Sequence, residues 1–227
     1  GILDLNEEMG KKTAGEIGGV FARCDVTSDK SIADALAMAR AANGQERILV
    51  TCAGIAFGKR TARRVRETGG VEPHDIASFR KMIEVNLIGT YNASRLFAAA
   101  CAKLDPLPEG ERGVMVFTAS VAAFDGQVGQ QAYSASKAGV AGMTLPMARD
   151  LAQHGIRVCT IAPGLFATPL LKSLPEPVQA SLAASIPFPP RLGQPSEFAE
   201  LALHIVTNGH LNGEVIRLDG ALRMAPR

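Results

Sequence analysis

The sequence predicts an α/β protein built on a doubly wound parallel sheet. Short apolar runs alternate with helix-compatible segments from one end of the chain to the other. The runs are continuously apolar, the pattern of strands covered by helices on both faces. The 227 residues, 47% of them hydrophobic, are enough for one such unit with a full core. No linker or internal repeat breaks the series, so residues 1–227 read as one domain.

The elements follow in order. Residues 2–5 are a short apolar run closed by Asn6, read as a strand, and 7–17 as a helix. A second strand at 20–25 is stopped by Asp25-Val26-Thr27-Ser28. From 29 to 42, Ile32, Leu36 and Ala39 recur on one helical face until Asn43-Gly44 ends it. Residues 48–52 form a strand. The stretch 57–74, basic and broken by glycines between Gly58 and Gly70, reads as a loop. Residues 73–104 are periodic and long, one helix with a bend. A strand at 114–118 precedes a helix at 131–154 that tolerates Gly139, Gly142 and Pro146. After a strand at 158–162 comes a proline-rich excursion, of which 165–190 has the length and composition of an active-site lid. A helix at 196–207, capped by Ser196, and a strand at 214–218 complete the series.

Composition narrows the function. A net charge of +2 does not point to a nucleic-acid partner. No apolar run reaches bilayer length, so no membrane partner is expected. Residues 1–10 are acidic and lack the apolar core of a signal peptide. Cys24, Cys52, Cys101 and Cys159 form no CxxC pair, and most read as buried free thiols suited to a reducing, cytoplasmic location. The histidines are dispersed, so no metal site is expected.

A nucleotide-binding sheet of this kind begins with a strand, a glycine-rich turn and a helix that receives the pyrophosphate. Gly10, Gly15, Gly18 and Gly19 do not have that spacing. Asp4, at the end of the first strand, occupies the place of the acidic residue that follows the motif and holds the adenosine ribose. The expectation is that the first β-α unit is missing from these residues.

Tyr133 and Lys137 stand four apart in a helical segment and share one face. A phenol titrates near 10, and a nearby ammonium should favour its ionised form for proton exchange with an alcohol. Taken alone the pair is also compatible with surface packing. Ser120 follows the strand at 114–118, at the sheet edge where ligands bind, and can hold a carbonyl or hydroxyl oxygen or merely cap a turn. Asn86 is a polar residue inside an apolar helix, which calls for a buried partner or marks a kink.

Ser120, Tyr133, Lys137 and Asn86 together resemble the catalytic set of the short-chain dehydrogenase/reductase family. Cys52-Ala53-Gly54 resembles its Asn-Ala-Gly turn, with Cys where Asn is usual. Pro163-Gly164 with Phe166 and Thr168 resembles the segment closing over nicotinamide, and Asp25-Val26 the pair that contacts adenine. The resemblance implies a Rossmann-like fold, NAD as cofactor, and reversible oxidation of a secondary alcohol to a ketone. Asp4, Asp25, Val26, Cys52, Ala53, Gly54, Tyr133, Lys137, Pro163, Gly164, Phe166 and Thr168 would bind the cofactor. Ser120, Gln127, Tyr133 and Leu170 would meet the substrate.

Several longer segments, among them 118–130, 161–166 and 212–220, are similar to members of the family that act on 3-hydroxyacyl-CoA thioesters. A hydroxysteroid or a 3-oxoacyl-ACP would use the same four residues, and a catalytically silent scaffold is the non-enzyme alternative. The arginines between Lys59 and Arg66 either form a solvated face or meet the phosphates of a CoA thioester. The family implies a homotetramer.

Overall fold

The computed structural model describes residues 1–172 and 174–226, the Leu170 side chain excepted. Its parallel strands fall into two ladders. β1 (Ile2–Asp4) pairs with β2 (Phe21–Arg23), flanked by α1 (Glu7–Glu16) and α2 (Asp29–Asn43). The larger ladder runs β3 (Ile48–Thr51), β6 (Gly113–Thr118), β7 (Ile156–Pro163) and β8 (Val215–Leu218). β1 and β3 are not paired with each other. In a doubly wound order of 3-2-1-4-5-6, the place between them belongs to the first strand. Ile48 and Val50 on β3 are exposed.

Helices cover both faces of the larger ladder. α5 (Gln131–Leu151) and α4 (Gly89–Cys101) enclose Phe97, Met115, Phe117, Val140 and Val158 on one side. α8 (Pro195–Thr207) closes Val116, Ile161 and Ile205 on the other. β6 and β7 are buried along nearly their whole length, which explains their unbroken apolar sequence. The helix expected at 73–104 forms as α3 (Ile76–Ile83), a π-helical turn at Glu84–Ile88, and α4. The π turn lies within the stretch where the sequence suggests a bend.

Two local expectations need correction. The basic loop contains an antiparallel hairpin, β4 (Ala62–Arg64) with β5 (Val71–Pro73). Both strands are three residues long and fully exposed, so neither leaves an apolar pattern. The cap of α8 is Gln194, not Ser196. Gln194 and Glu197 bond reciprocally in a capping box, and Pro195 takes the first turn, where its missing N–H costs nothing. Short helices α6 (Pro169–Lys172) and α7 (Glu176–Ala184) lie within 165–190.

Candidate active site

Parallel strands put their C-terminal ends on one edge of the sheet. The pairing of Thr51 with Phe117, Thr118 with Ile161, and Pro163 with Leu218 sets the chain beyond β3, β6 and β7 side by side there. Ser120 thus stands beside the turn Cys52-Ala53-Gly54 and the segment Pro163-Gly164. Its Oγ accepts the Ala122 N–H at 3.2 Å, opening a 3₁₀ turn.

α5 brings in Tyr133 and Lys137 from its first two turns. Lys137 is 6% exposed, and its Nζ donates to the Thr118 carbonyl at 2.8 Å. Burial lowers its pKa to about 8, with the neighbouring Cys52 acting the other way. The ammonium lies 6.0 Å from the centre of the Tyr133 ring. Burial holds the phenol above its ordinary value, and the neighbouring Ser120 hydroxyl works against that rise. Desolvation therefore outweighs the lowering expected from Lys137, whose ammonium is engaged by Thr118.

Asn86 is fully buried in the π turn. Its Oδ1 accepts the Ile55 N–H at 2.8 Å, and its Nδ2 donates to the Ile55 carbonyl at 2.9 Å and to Ser136 Oγ at 3.0 Å. Ser136 Oγ donates in turn to the Tyr133 carbonyl at 2.7 Å. One amide thus ties the loop after β3 to the turn of α5 that holds Tyr133. Ser136 was not singled out from the sequence. Its one signal is a hydroxyl three residues after Tyr133, on an otherwise buried helix face.

The expected cofactor contacts are distributed along the same edge. A side chain at Gly54 would meet Asn86 Oδ1 at 3.3 Å and Lys137 Nζ at 3.6 Å, so bare backbone floors the crevice. Asp4 is exposed at the end of β1, and its Oδ1 accepts the Asn6 N–H at 2.7 Å. The sequence places no basic residue after Asp4 until Lys11, yet the pairing puts Arg23 directly beside it. Asp25 accepts from the Thr27 N–H and hydroxyl at 2.9 and 2.7 Å, and the latter bond chiefly lowers its pKa. Val26 packs with the α2 core and against Gly89. Cys52 is exposed, as is Ala53, and Cys24, Cys101 and Cys159 are the buried thiols.

Three further expected residues have partners within the chain. The Phe166 ring packs on Gly193 and edge-on against Phe198, toward α8. Thr168 Oγ1 accepts from the Leu171 N–H, at the start of α6. Gln127 donates its amide to the Ala225 carbonyl at 2.9 Å. The Leu170 side chain lies outside the described residues.

The sequence of residues 1–179 matches the short chain dehydrogenase family. The chain belongs to the short-chain dehydrogenase family. It is similar to 3-hydroxyacyl-CoA dehydrogenase type-2 of Homo sapiens, 52% identical over 227 residues, spanning 99% of this chain and 85% of that protein. The Drosophila melanogaster protein of the same name is also 52% identical, spanning 99% and 88%. The crystal structure of 3-hydroxyacyl-CoA dehydrogenase type-2 from Mycobacterium avium matches with a TM-score of 0.92 at 47% identity, over 100% of this chain and 86% of that one. A 7α-hydroxysteroid dehydrogenase complexed with NADH and 7-oxo glycochenodeoxycholic acid matches at 0.85 and 27% identity, over 98% and 84%.

The short-chain dehydrogenase site has the donor set for the sugar and ring of a nicotinamide nucleotide. Among the described residues Lys137 has one hydrogen-bond acceptor for its three N–H groups, although it is buried. A ribose diol would satisfy the others. Thr51, at the end of β3, buries a hydroxyl with no partner among the described residues. No group of three or more metal-ligating side chains occurs among those residues, and no helix is long and apolar enough to cross a membrane.

Proposed function

We propose that the chain catalyses the reversible NAD-dependent oxidation of a (3S)-3-hydroxyacyl-CoA to the 3-oxoacyl-CoA. The observation that carries this reading is the meeting of Ser120, Tyr133, Lys137 and the Asn86 anchor at one sheet edge. Bound NAD supplies a ring that takes up or returns the hydride. Tyr133 receives the hydroxyl proton during oxidation and returns it during reduction. Ser120 holds the substrate oxygen through both directions. Lys137 grips the nicotinamide ribose and, once so held, favours the phenolate. Asn86 positions Tyr133 through Ser136 and shapes the crevice through Ile55. Asp4 accepts the adenosine ribose hydroxyls, and a 2′-phosphate there would meet its charge.

The thioester is supported by the 3-hydroxyacyl-CoA relatives and by the hairpin. A groove of about 500 Å³ lies between Arg60, Thr61 and Ala62 and residues Gln127, Val128 and Gly129. Arg60, Arg64 and Arg66 have no carboxylate partner among the described residues, and Arg63 reaches Glu72 at only 3.7 Å. Such guanidinium groups suit CoA phosphates. Residues 165–190 serve as the substrate lid. The assembly is a homotetramer, using the exposed Ile88, Tyr91 and Leu145 of the long helices. The location is cytoplasmic, where the free thiols stay reduced.

The test is acetoacetyl-CoA reduction followed with NADH and with NADPH. The account expects turnover with a preference for NADH. Turnover of a ketosteroid alone, or preference for NADPH, would contradict it. Reversing Arg63 and Arg64 to Glu should raise KM for acetoacetyl-CoA by about tenfold and leave that of a short uncharged ketone unchanged. Equal effects on both substrates would remove the hairpin from the site.

A further inference from the structure

Arg217 lies on β8, far in sequence from the catalytic positions. Its neighbours Ile216 and Leu218 pack into the α8 core, while Val215 packs on the α5 side. Strand alternation therefore turns Arg217 toward the α5 face. There its guanidinium donates to Asp125 Oδ2 at 2.5 Å, to Asp219 Oδ2 at 2.7 Å and to the Leu222 carbonyl at 2.9 Å, and it lies 5.4 Å from the centre of the Phe124 ring. Both carboxylates are largely buried.

Each partner belongs to a different segment of the active-site mouth. Asp125 and Phe124 open the loop 124–130, which joins Ser120 to the helix of Tyr133. Asp219 sits against Gly164, where a Cβ would come within 2.8 Å of it. Leu222 begins the final segment, which crosses back over the loop. Gln127 donates to Ala225, and the Val128 N–H donates to the Pro226 carbonyl at 3.0 Å.

We infer that Arg217 is a positioning residue, which clamps loop 124–130, the Gly164 segment and the final segment together so that Ser120 and Tyr133 share one substrate oxygen. This rests on the reading of Ser120 and Tyr133 as the pair that handles the hydroxyl. A single planar fork satisfies three acceptors in fixed directions, which a lysine cannot do. Without it, the one cation left to Asp219 among the described residues is Arg223, at 3.2 Å, and Asp125 loses the cation that ties its loop to β8.

The test uses Asp125→Asn, which keeps shape and loses charge, and Arg217→Lys, which keeps charge and loses the fork. In both, hydrogen exchange at the Val128 amide should accelerate about tenfold, with β6 amides unchanged, because a local opening becomes easier. The kcat for acetoacetyl-CoA should fall about tenfold while NADH affinity stays within about twofold, since misplacement acts on the reacting atoms. Unchanged exchange overturns the clamp. Faster exchange with unchanged kcat overturns positioning, and parallel loss of NADH binding marks a merely structural role, overturning it too. Should the wild type reduce a ketosteroid but no thioester, the thioester reading fails, and the same kcat comparison on the ketosteroid decides the role of Arg217.

Discussion

At the scale of single residues, Lys137 shows how a reaction site is held at the expense of the fold. Its charged form is disfavoured by burial, so its pKa falls from the ordinary 10.5 to about 8. The penalty is full below pH 8, where folded and unfolded chains are both protonated. It disappears as pH rises through 8 and then through the unfolded value. The depression is worth roughly 3 kcal/mol, offset by about 1 kcal/mol for the bond to Thr118. Lys137→Met without cofactor should therefore be on the order of 2 kcal/mol more stable than the wild type at pH 7. Denaturant unfolding should show that margin closing between pH 8 and above 10. A wild type more stable than the variant at pH 7 would mean the ammonium is better compensated than the Thr118 bond provides. The YxxxK spacing made both residues legible in the sequence. It could not show that desolvation dominates Tyr133, because burial depends on the neighbouring Ser120 turn and on the loop beyond β3, both distant in sequence.

At the scale of elements, the π turn at Glu84–Ile88 joins fold to chemistry. It puts Asn86 where its amide meets both backbone groups of Ile55 and the Ser136 hydroxyl. Asn86→Ala would leave these buried groups unpaired and should lower stability by roughly 3 kcal/mol, as urea unfolding would measure. A loss below about 1 kcal/mol would mean that water replaces the amide. The sequence marked Asn86 as an anomaly in an apolar helix. It carried no sign of the π turn around it, since such a turn depends on which carbonyl each N–H selects. β6 and β7 were legible for a simple reason: strands buried on both faces are continuously apolar. The β4–β5 hairpin was not, because a solvated pair of three-residue strands obeys no burial pattern. The Ser196 cap was misplaced for a related reason. Ser is the commoner cap, and the reciprocal bonds of Gln194 and Glu197 appear only when the turn is formed.

At the scale of the molecule, the parallel order aligns four strand ends, and the residues that follow them make the site. This arrangement was legible from the alternation of elements, because parallel strands joined by helices have their C-terminal ends on one edge. What was not legible is the closure of the mouth by long-range contacts. Gln127, expected to meet the substrate, has its amide bonded to the Ala225 carbonyl, a contact 98 residues away in sequence. The exposed apolar residues of α4 and α5 are a second feature of this scale. Sedimentation at micromolar concentration should give a tetramer, and a monomer would remove the proposed assembly. The central claim is that Tyr133 moves the proton in an alcohol–ketone exchange. Its most direct test is Tyr133→Phe in the full-length protein, assayed for acetoacetyl-CoA reduction alongside a titration of NADH binding. The account predicts turnover lower by roughly 10²-fold or more with NADH binding nearly intact. Turnover close to that of the wild type would contradict it.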